Sequence, residues 1–155
     1  MEAIKVFIIT GSESDLPTME KCREMLEDLG VPSALEVASA HRNPDRVRAL
    51  VEEAAASGAE VIVAGAGMSA ALPGVVASYT DLPVIGVPLD TGMPGGIDAL
   101  FSIVQMPTGI PVAAVAVNGA RNAAVLAARI LALGDDAIRE RLKQYRSDLA
   151  EGGKK

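Results

Sequence analysis

Apolar runs and helical stretches alternate along this chain. Five runs rich in Val, Ile, Ala and Leu carry few polar residues, which is the pattern of parallel strands that helices cover on both faces. Between these runs, apolar residues recur three and four positions apart, as they do on the buried face of a helix. The predicted strands are Ile4–Thr10, Ala34–Ser39, Glu60–Ala66, Pro83–Val87 and Pro111–Val117.

Two of the intervening helices also carry start signals. Ser14 or Asp15 is predicted to cap the first helix, which has Pro17 in its first turn. Asn43 is predicted to cap the second helix, which has Pro44 at its first position. The apolar faces of the two helices comprise Met19, Cys22, Leu26 and Leu29, and Val47, Leu50, Val51 and Ala54.

The alternation predicts a single α/β domain over residues 1–155. Strand–helix repetition implies parallel strands joined by right-handed crossovers, and no linker-like change in composition divides the chain. We therefore expect a three-layer α/β/α, doubly wound parallel sheet of the flavodoxin-like kind, with strand order 2-1-3-4-5. Residues 135–149 predict a charged terminal helix, and the tail that follows is expected to be frayed.

Composition narrows the range of partners. A mean hydropathy of +0.31 on so short a chain predicts more apolar surface than one core hides, so we expect a homo-oligomer. A net charge of −6 without a basic stripe argues against nucleic acid. No apolar run approaches membrane-spanning length and no basic-then-apolar leader opens the chain, so we expect no membrane contact and a cytoplasmic location. The single Cys22 excludes an internal disulfide, and its helical spacing predicts a core position.

Polar residues follow the first predicted strand, where the ligand of an open α/β sheet binds. Gly11 allows a tight turn, and the hydroxyls of Ser12 and Ser14 with a helix amino terminus form an anion cradle. Asp15 is suited to accept hydrogen bonds from a ribose diol. The same residues also fit a simple capping cluster, and spacing alone leaves both interpretations open.

The loop after the second strand contains the only histidine of the chain, His41, beside Arg42. A guanidinium suits a phosphate, and an imidazole suits proton transfer near neutral pH. A solvated loop histidine next to a capping Asn is the alternative. The position at a strand's carboxyl end, level with the first loop, favours a functional role.

The third and fourth loops are poor in functional side chains. Residues 64–74 are mostly Gly and Ala, which fits either a flat ligand against the backbone or close helix–strand packing. Residues 88–96 predict a flexible loop, and we interpret it as a candidate lid. The chain has no dinucleotide or triphosphate fingerprint and no His/Cys/carboxylate cluster, so neither a metal nor an organic cofactor is expected.

Taken together, these motifs resemble those of the N5-carboxyaminoimidazole ribonucleotide mutases and the related aminoimidazole ribonucleotide carboxylases. The resemblance runs from Lys5 to about Leu133 and implies an α/β/α subunit in an octamer. It is carried by GSESD, SAHRNPDR, AGAG…ALPG, LPVIGVP and DALFSIVQMPTGIPVAAVAV.

The resemblance also implies a reaction of purine biosynthesis and a role in it for each candidate site residue. His41 falls at the position of the family's general acid/base, and Asp15 at that of the ribose ligand. In the mutases one histidine can protonate the exocyclic nitrogen, which releases carbon dioxide, and then remove the C4 proton after recarboxylation. The phosphate ligands would be Ser12, Ser14, Ser39 and Arg42. The remaining substrate-binding residues would be Gly65, Ala66, Gly67 and Leu72, of which the first three would face the imidazole.

One position departs from the family pattern. The mutase branch usually carries a second histidine before Leu-Pro-Gly, and Ala71 stands there in this chain. The chain is therefore a mutase in which backbone groups suffice, a carboxylase that takes up free carbon dioxide, or a relative with another substrate, such as the carboxylating enzymes of nickel-pincer cofactor assembly. The motif QMPTGIPV favours the mutase. A non-catalytic nucleotide-binding module and a purely structural assembly subunit are the alternatives from other functional classes.

Overall fold

The computed structural model describes residues 3–153 and consists of one parallel sheet with helices on both faces. Each strand is followed by a helix or a short helical turn, as the alternating pattern predicts. The strands are β1 Val6–Thr10, β2 Ser33–Val37, β3 Val61–Gly67, β4 Val84–Leu89 and β5 Ala113–Ala114. The helices are α1 Leu16–Asp28, α2 Pro44–Ala56, α3 Leu72–Ser78, α4 Ile97–Val104, α5 Ala120–Leu131 and α6 Asp136–Ala150, with 3₁₀ turns at Glu13–Asp15 and Pro94–Gly96.

The five strands lie in the order β2-β1-β3-β4-β5, and every pairing is parallel. The predicted strand order is therefore confirmed. Thr10 is level with Val37 on one side and with Gly65 on the other, so the carboxyl ends of the three strands lie side by side. The loops that follow these strands meet at one edge of the sheet, where the candidate chemistry is concentrated.

Two apolar cores flank the sheet and give the three layers. Alternate residues of β1 point to opposite faces, because successive side chains of a strand do so. Val6 and Ile8 pack with α1, α5 and α6, whereas Phe7 and Ile9 pack with α2, α3 and α4. Cys22 lies fully buried in the first core, and burial raises the pKa of its thiol to about 12. It is an inert packing residue, as its helical spacing predicted.

Strand bounds differ from the predictions mainly at the edge of the sheet. Residues 111–117 are predicted as a strand, but the strand comprises only Ala113–Ala114, and Val115 and Asn118 add single backbone hydrogen bonds to Gly86 and Pro88 of β4. Pro111 has no N–H to donate, and the chain turns at Asn118, which has a φ of +57°. Apolar composition therefore overestimated the length of this edge strand.

The two predicted helix caps have different outcomes. The side chain of Asn43 accepts a hydrogen bond from the Arg46 N–H at 3.2 Å, so this cap is confirmed. Neither Ser14 nor Asp15 caps α1 with its side chain, and that prediction is wrong. Ser12 instead caps the 3₁₀ turn that precedes α1, and this turn leaves Asp15 free for other contacts.

Helix α6 packs beside α5, and an ion pair ties its start to the residue before β1. Asp135 caps α6 by accepting hydrogen bonds from Ala137 and Ile138, and the Lys5 ammonium lies 3.0 Å from the Asp135 carboxylate. The Ile138 N–H and Lys5 lower the pKa of this carboxyl. The predicted tail covers residues 152–155, of which the last two lie outside the described residues. Within residues 3–153, no helix is both long enough and apolar enough to cross a membrane.

Candidate active site at the carboxyl edge of the sheet

A cavity of about 640 Å³ opens beyond the carboxyl ends of β1, β2 and β3. Ligands of open α/β sheets bind at this edge, next to the point between β1 and β3 where the chain changes the direction in which it adds strands. Strands β1, β2 and β3 each contribute the loop that follows them, and the loop after β4 adds one residue. The lining residues are Gly11, Ser12, Ser14, Asp15, Ser39, Ala40, His41, Arg42, Ala66, Gly67, Met68, Ser69, Ala70, Ala71, Leu72 and Thr91.

The turn after β1 places two hydroxyl groups together at the cavity. Ser12 Oγ accepts a hydrogen bond from the Ser14 N–H at 3.3 Å, which holds the 3₁₀ turn. The hydroxyls of Ser12 and Ser14 lie 2.9 Å apart. Hydroxyl groups can rotate to donate to an incoming anion, so this pair forms a small polar cradle.

Asp15 lies at the start of α1 but is turned inward. Only 7% of the residue is exposed, and its carboxylate lies 3.4 Å from the hydroxyl of Thr10. Burial raises the pKa of the Asp15 carboxyl, and the hydrogen bond from Thr10 opposes that rise. A buried carboxylate that faces a cavity and caps no helix is available to a ligand with hydroxyl groups.

The turn after β2 carries His41 and Arg42. Ser39 Oγ accepts from the Arg42 N–H at 3.2 Å, and the Ser39 carbonyl accepts from Asn43 at 2.8 Å, which closes the turn. The Arg42 guanidinium donates to the Gly11 carbonyl at 3.1 Å, so it ties the second loop to the first. His41 and Arg42 are both exposed to solvent at the cavity.

The opposite side of the cavity consists of the segment from Ala66 to Leu72. Small residues dominate it, and Met68 adopts a left-handed conformation with φ of +55°. Leu72 is buried at the start of α3. Gly65 is not among the lining residues of the cavity. It faces α1, where the side chain of Met19 occupies the place that a Cβ of residue 65 would take. Its carbonyl oxygen instead accepts a hydrogen bond from Thr10.

Thr91 reaches the cavity from the loop after β4. A Cβ on Gly67 would overlap the Thr91 hydroxyl, so the glycine is needed for this close approach. Two side chains fix the path of the loop: Asn118 accepts from the Asp90 N–H, and Asp98 accepts from the Met93 N–H, both at 3.1 Å.

The cavity thus gathers every predicted site residue except Gly65, while their roles stay predictions. Sequence reasoning missed Thr91, which lines the cavity, and Thr10, which contacts Asp15 without lining the cavity. Thr10 is the polar last residue of an apolar strand, a signal that could have been used. No sequence pattern identifies Thr91 as a cavity residue, because its position depends on the path of the loop after β4.

This arrangement combines an anion-binding end with a lone imidazole and a wall of small residues. The hydroxyls, the guanidinium and the buried carboxylate suit a phosphorylated sugar, and the imidazole can transfer a proton beside it. Residues 3–153 contain no group of three or more His, Cys, Asp or Glu side chains arranged to hold a metal ion.

The fold and the cavity define a flavodoxin-like α/β protein with a polar site at the carboxyl edge of its sheet. The chain belongs to the AIR carboxylase family, whose sequence pattern matches residues 5–152. It is 52% identical over 142 residues to an N5-carboxyaminoimidazole ribonucleotide mutase of Thermotoga maritima, covering 92% of this chain and 83% of that protein.

Two further similarities broaden the comparison. A chloroplastic phosphoribosylaminoimidazole carboxylase of Vigna aconitifolia is 50% identical over 143 residues, covering 92% of this chain and 26% of that longer protein. The crystal structure of Treponema denticola PurE superposes with a TM-score of 0.83 at 33% identity, covering 95% of this chain and 92% of that one. Both the mutase and the carboxylase names therefore occur among its relatives.

Proposed function

We propose that this chain is an enzyme of purine biosynthesis that converts N5-carboxyaminoimidazole ribonucleotide into 4-carboxyaminoimidazole ribonucleotide. The observation that carries the proposal is the convergence of one imidazole, one buried carboxylate and one guanidinium on a single cavity. Relatives about half identical over nearly the whole chain are named as mutases of this reaction, which supports the same assignment.

Under this proposal the substrate spans the cavity with its phosphate at the hydroxyl cradle. Arg42 and the hydroxyls of Ser12, Ser14 and Ser39 donate to the 5′-phosphate, because charge-assisted hydrogen bonds are strong and directional. Asp15 accepts from the ribose hydroxyls. The imidazole ring lies against Ala66, Gly67 and Leu72, whose small or apolar surfaces leave room for a flat ring.

His41 performs both proton transfers in the proposed reaction. It donates a proton to the exocyclic nitrogen, the bond from nitrogen to the carboxyl carbon breaks, and carbon dioxide leaves. C4 of the resulting aminoimidazole ribonucleotide then attacks the carbon dioxide to form a carbon–carbon bond. The C4 proton returns to His41, which restores both the aromatic ring and the protonated imidazole.

Direct carboxylation of aminoimidazole ribonucleotide with free carbon dioxide is the second candidate. Ala71 favours it, because the methyl group gives the cavity wall no titratable group and His41 is the only histidine of the chain. In this reaction His41 has one task, which is to remove the C4 proton after carbon dioxide has entered from solution.

One labelling experiment distinguishes the two reactions. The purified protein is given the N5-carboxy substrate in ¹³C-bicarbonate, and in parallel aminoimidazole ribonucleotide in the same buffer. We expect rapid formation of unlabelled 4-carboxy product from the first substrate. Efficient turnover of the second substrate alone, with full label, establishes the carboxylase. If neither substrate reacts while both bind, the chain is a non-catalytic nucleotide-binding module.

We also propose that the subunits assemble into a homo-octamer. The support is an apolar stripe on α4, where Ile97, Phe101 and Val104 are 42%, 55% and 48% exposed at spacings of four and three residues. Such a stripe is stabilised by burial against another copy of the chain. Light scattering coupled to size exclusion measures the assembly, and Phe101→Glu is expected to reduce its mass.

A cytoplasmic location is part of the same proposal. The substrate is a phosphorylated and carboxylated metabolite, and such multiply charged molecules do not cross an apolar bilayer unaided. Fractionation of the producing cells with an antibody to the chain tests this location, and recovery outside the cytoplasmic fraction would contradict it.

A further inference from the structure

Thr10 links three parts of the sheet edge through one fully buried residue. Its carbonyl oxygen accepts a hydrogen bond from Ala38 beyond β2 at 2.9 Å. Its hydroxyl lies 3.1 Å from the Gly65 carbonyl oxygen on β3 and 3.4 Å from Asp15 Oδ2. The hydroxyl therefore connects a backbone group of β3 with a carboxylate that lines the cavity.

The Asp15 carboxylate has a single side-chain hydrogen-bond partner in the described part of the chain. Within residues 3–153, Thr10 is the one side chain that hydrogen-bonds to it, and no N–H of α1 is capped by it. An ionised carboxylate accepts about four hydrogen bonds, and Thr10 uses one acceptor site. The remaining acceptor sites are therefore available on a side chain that is buried and held from behind.

The Thr10 hydroxyl carries a single proton between two acceptors. Only the arrangement in which it donates to Asp15 makes a hydrogen bond to the carboxylate, because an ionised carboxylate can accept but not donate. Binding of a substrate hydroxyl to Asp15 is compatible with this arrangement, because the carboxylate keeps its other acceptor sites. Ala66 and Gly67, which follow Gly65 on that strand, line the opposite wall of the cavity.

We propose that Thr10 is a positioning residue that holds the Asp15 carboxylate for the ribose hydroxyls of the substrate. This inference rests on the proposed function, because the ribose is part of the proposed substrate. Valine at this position keeps the shape of the side chain but removes both hydroxyl contacts, whereas serine keeps the hydroxyl.

The test measures discrimination between aminoimidazole ribonucleotide and its 2′-deoxy analogue by titration calorimetry. A hydrogen bond from the 2′-hydroxyl to a held carboxylate is worth roughly a tenfold or greater preference for the ribonucleotide. We expect wild type and Thr10→Ser to show this preference, and Thr10→Val to lose most of it. A purely structural role would weaken both ligands equally and leave the preference unchanged.

Several outcomes would overturn the inference. They are an undiminished preference in Thr10→Val, a failure of Thr10→Ser to keep it, and the absence of any preference in wild type. If Thr10→Val does not fold, Thr10→Ser and Thr10→Ala isolate the hydroxyl in the same way. Binding without turnover in wild type would contradict the proposed function alone, because discrimination between the two ligands is still measured.

Discussion

The two walls of the cavity are built on different principles. One wall uses chemically active side chains from the turns after β1 and β2, and the other uses small residues and backbone from the loops after β3 and β4. We define the polar wall as Ser12, Ser14, Asp15, Ser39, His41 and Arg42. We define the apolar wall as Ala66, Gly67, Ala71 and Leu72, with the Thr91 side chain against Gly67.

This difference suits a ligand whose two ends make opposite demands. A phosphorylated ribose needs donors and a carboxylate at fixed positions, which turns closed by hydrogen bonds supply. A flat ring that exchanges carbon dioxide needs a close-fitting surface that excludes water, which small residues supply. Substitutions on the polar wall therefore remove interactions, whereas substitutions on the apolar wall add volume.

The largest effect is expected at His41, the proposed proton-transfer residue of the polar wall. His41→Asn removes the proton-transfer group, so we expect kcat to fall by roughly 10²- to 10⁴-fold. The dissociation constant of aminoimidazole ribonucleotide should change by no more than about twofold, because the phosphate ligands stay in place. Steady-state kinetics and calorimetry on one preparation measure both. Retention of kcat would show that another group transfers the proton.

Arg42→Ala tests the anion-binding end of the polar wall. It removes a charge-assisted hydrogen bond, so we expect affinity for aminoimidazole ribonucleotide to fall by roughly 10- to 100-fold. Affinity for the corresponding nucleoside, which lacks the phosphate, should not change. Calorimetry with both ligands measures the difference.

Arg48→Ala is the matched control for this experiment. Arg48 is exposed on α2, the helix that follows the Arg42 turn, but it pairs with Glu52 at 3.2 Å and lies outside the cavity. Its removal should leave both affinities unchanged. An equal loss in the two arginine variants would indicate a general electrostatic effect rather than a phosphate contact.

Gly67→Ala sharpens the contrast by adding one methyl group to the apolar wall. The new Cβ overlaps the Thr91 hydroxyl, and overpacking of this kind costs about 1–3 kcal/mol. We expect the loop after β4 to shift and kcat/KM to fall by roughly tenfold. The double variant Gly67→Ala with Thr91→Gly removes the overlap and should recover most of the loss. No recovery would mean that the methyl group blocks the substrate itself.

The polar wall was largely predictable from the sequence, because its residues are conspicuous and follow buried strands directly. Alternating apolar runs predicted the sheet order, and the sheet order brings the loops after β1 and β2 together. The direction of Asp15 was not predictable. Its position before α1 favours a cap, and only the 3₁₀ turn capped by Ser12 directs it to Thr10.

The apolar wall was harder to predict for a physical reason. Gly and Ala serve both ligand contact and helix–strand packing, so composition could not separate the two, and Gly65, which the family resemblance implied as a ligand residue, faces Met19. Thr91 is one of two polar residues in a loop rich in Gly and Pro. Its position follows from the side chains of Asp98, seven residues further on, and of Asn118, which is distant in sequence and gives no local pattern.

The smallest expected effect is the change in stability caused by Asp15→Asn, measured without substrate. Burial raises the pKa of the Asp15 carboxyl above its usual value of 3.8. The folded state therefore holds this proton more tightly than the unfolded state does. Its stabilising contribution is complete below the unfolded pKa and is lost as the pH rises through the folded pKa.

Asparagine has no ionised form, so the urea midpoint of unfolding of Asp15→Asn should be higher than that of wild type at about pH 8. The gain should shrink as the pH is lowered towards about 4, because the wild-type carboxyl then becomes neutral. Glu13→Gln removes an exposed carboxylate from the same turn and should leave the midpoint unchanged. If Asp15→Asn destabilises the protein at every pH, the Asp15 carboxylate stabilises the fold. The expectation that the ionised carboxylate of the polar wall lowers stability would then be wrong.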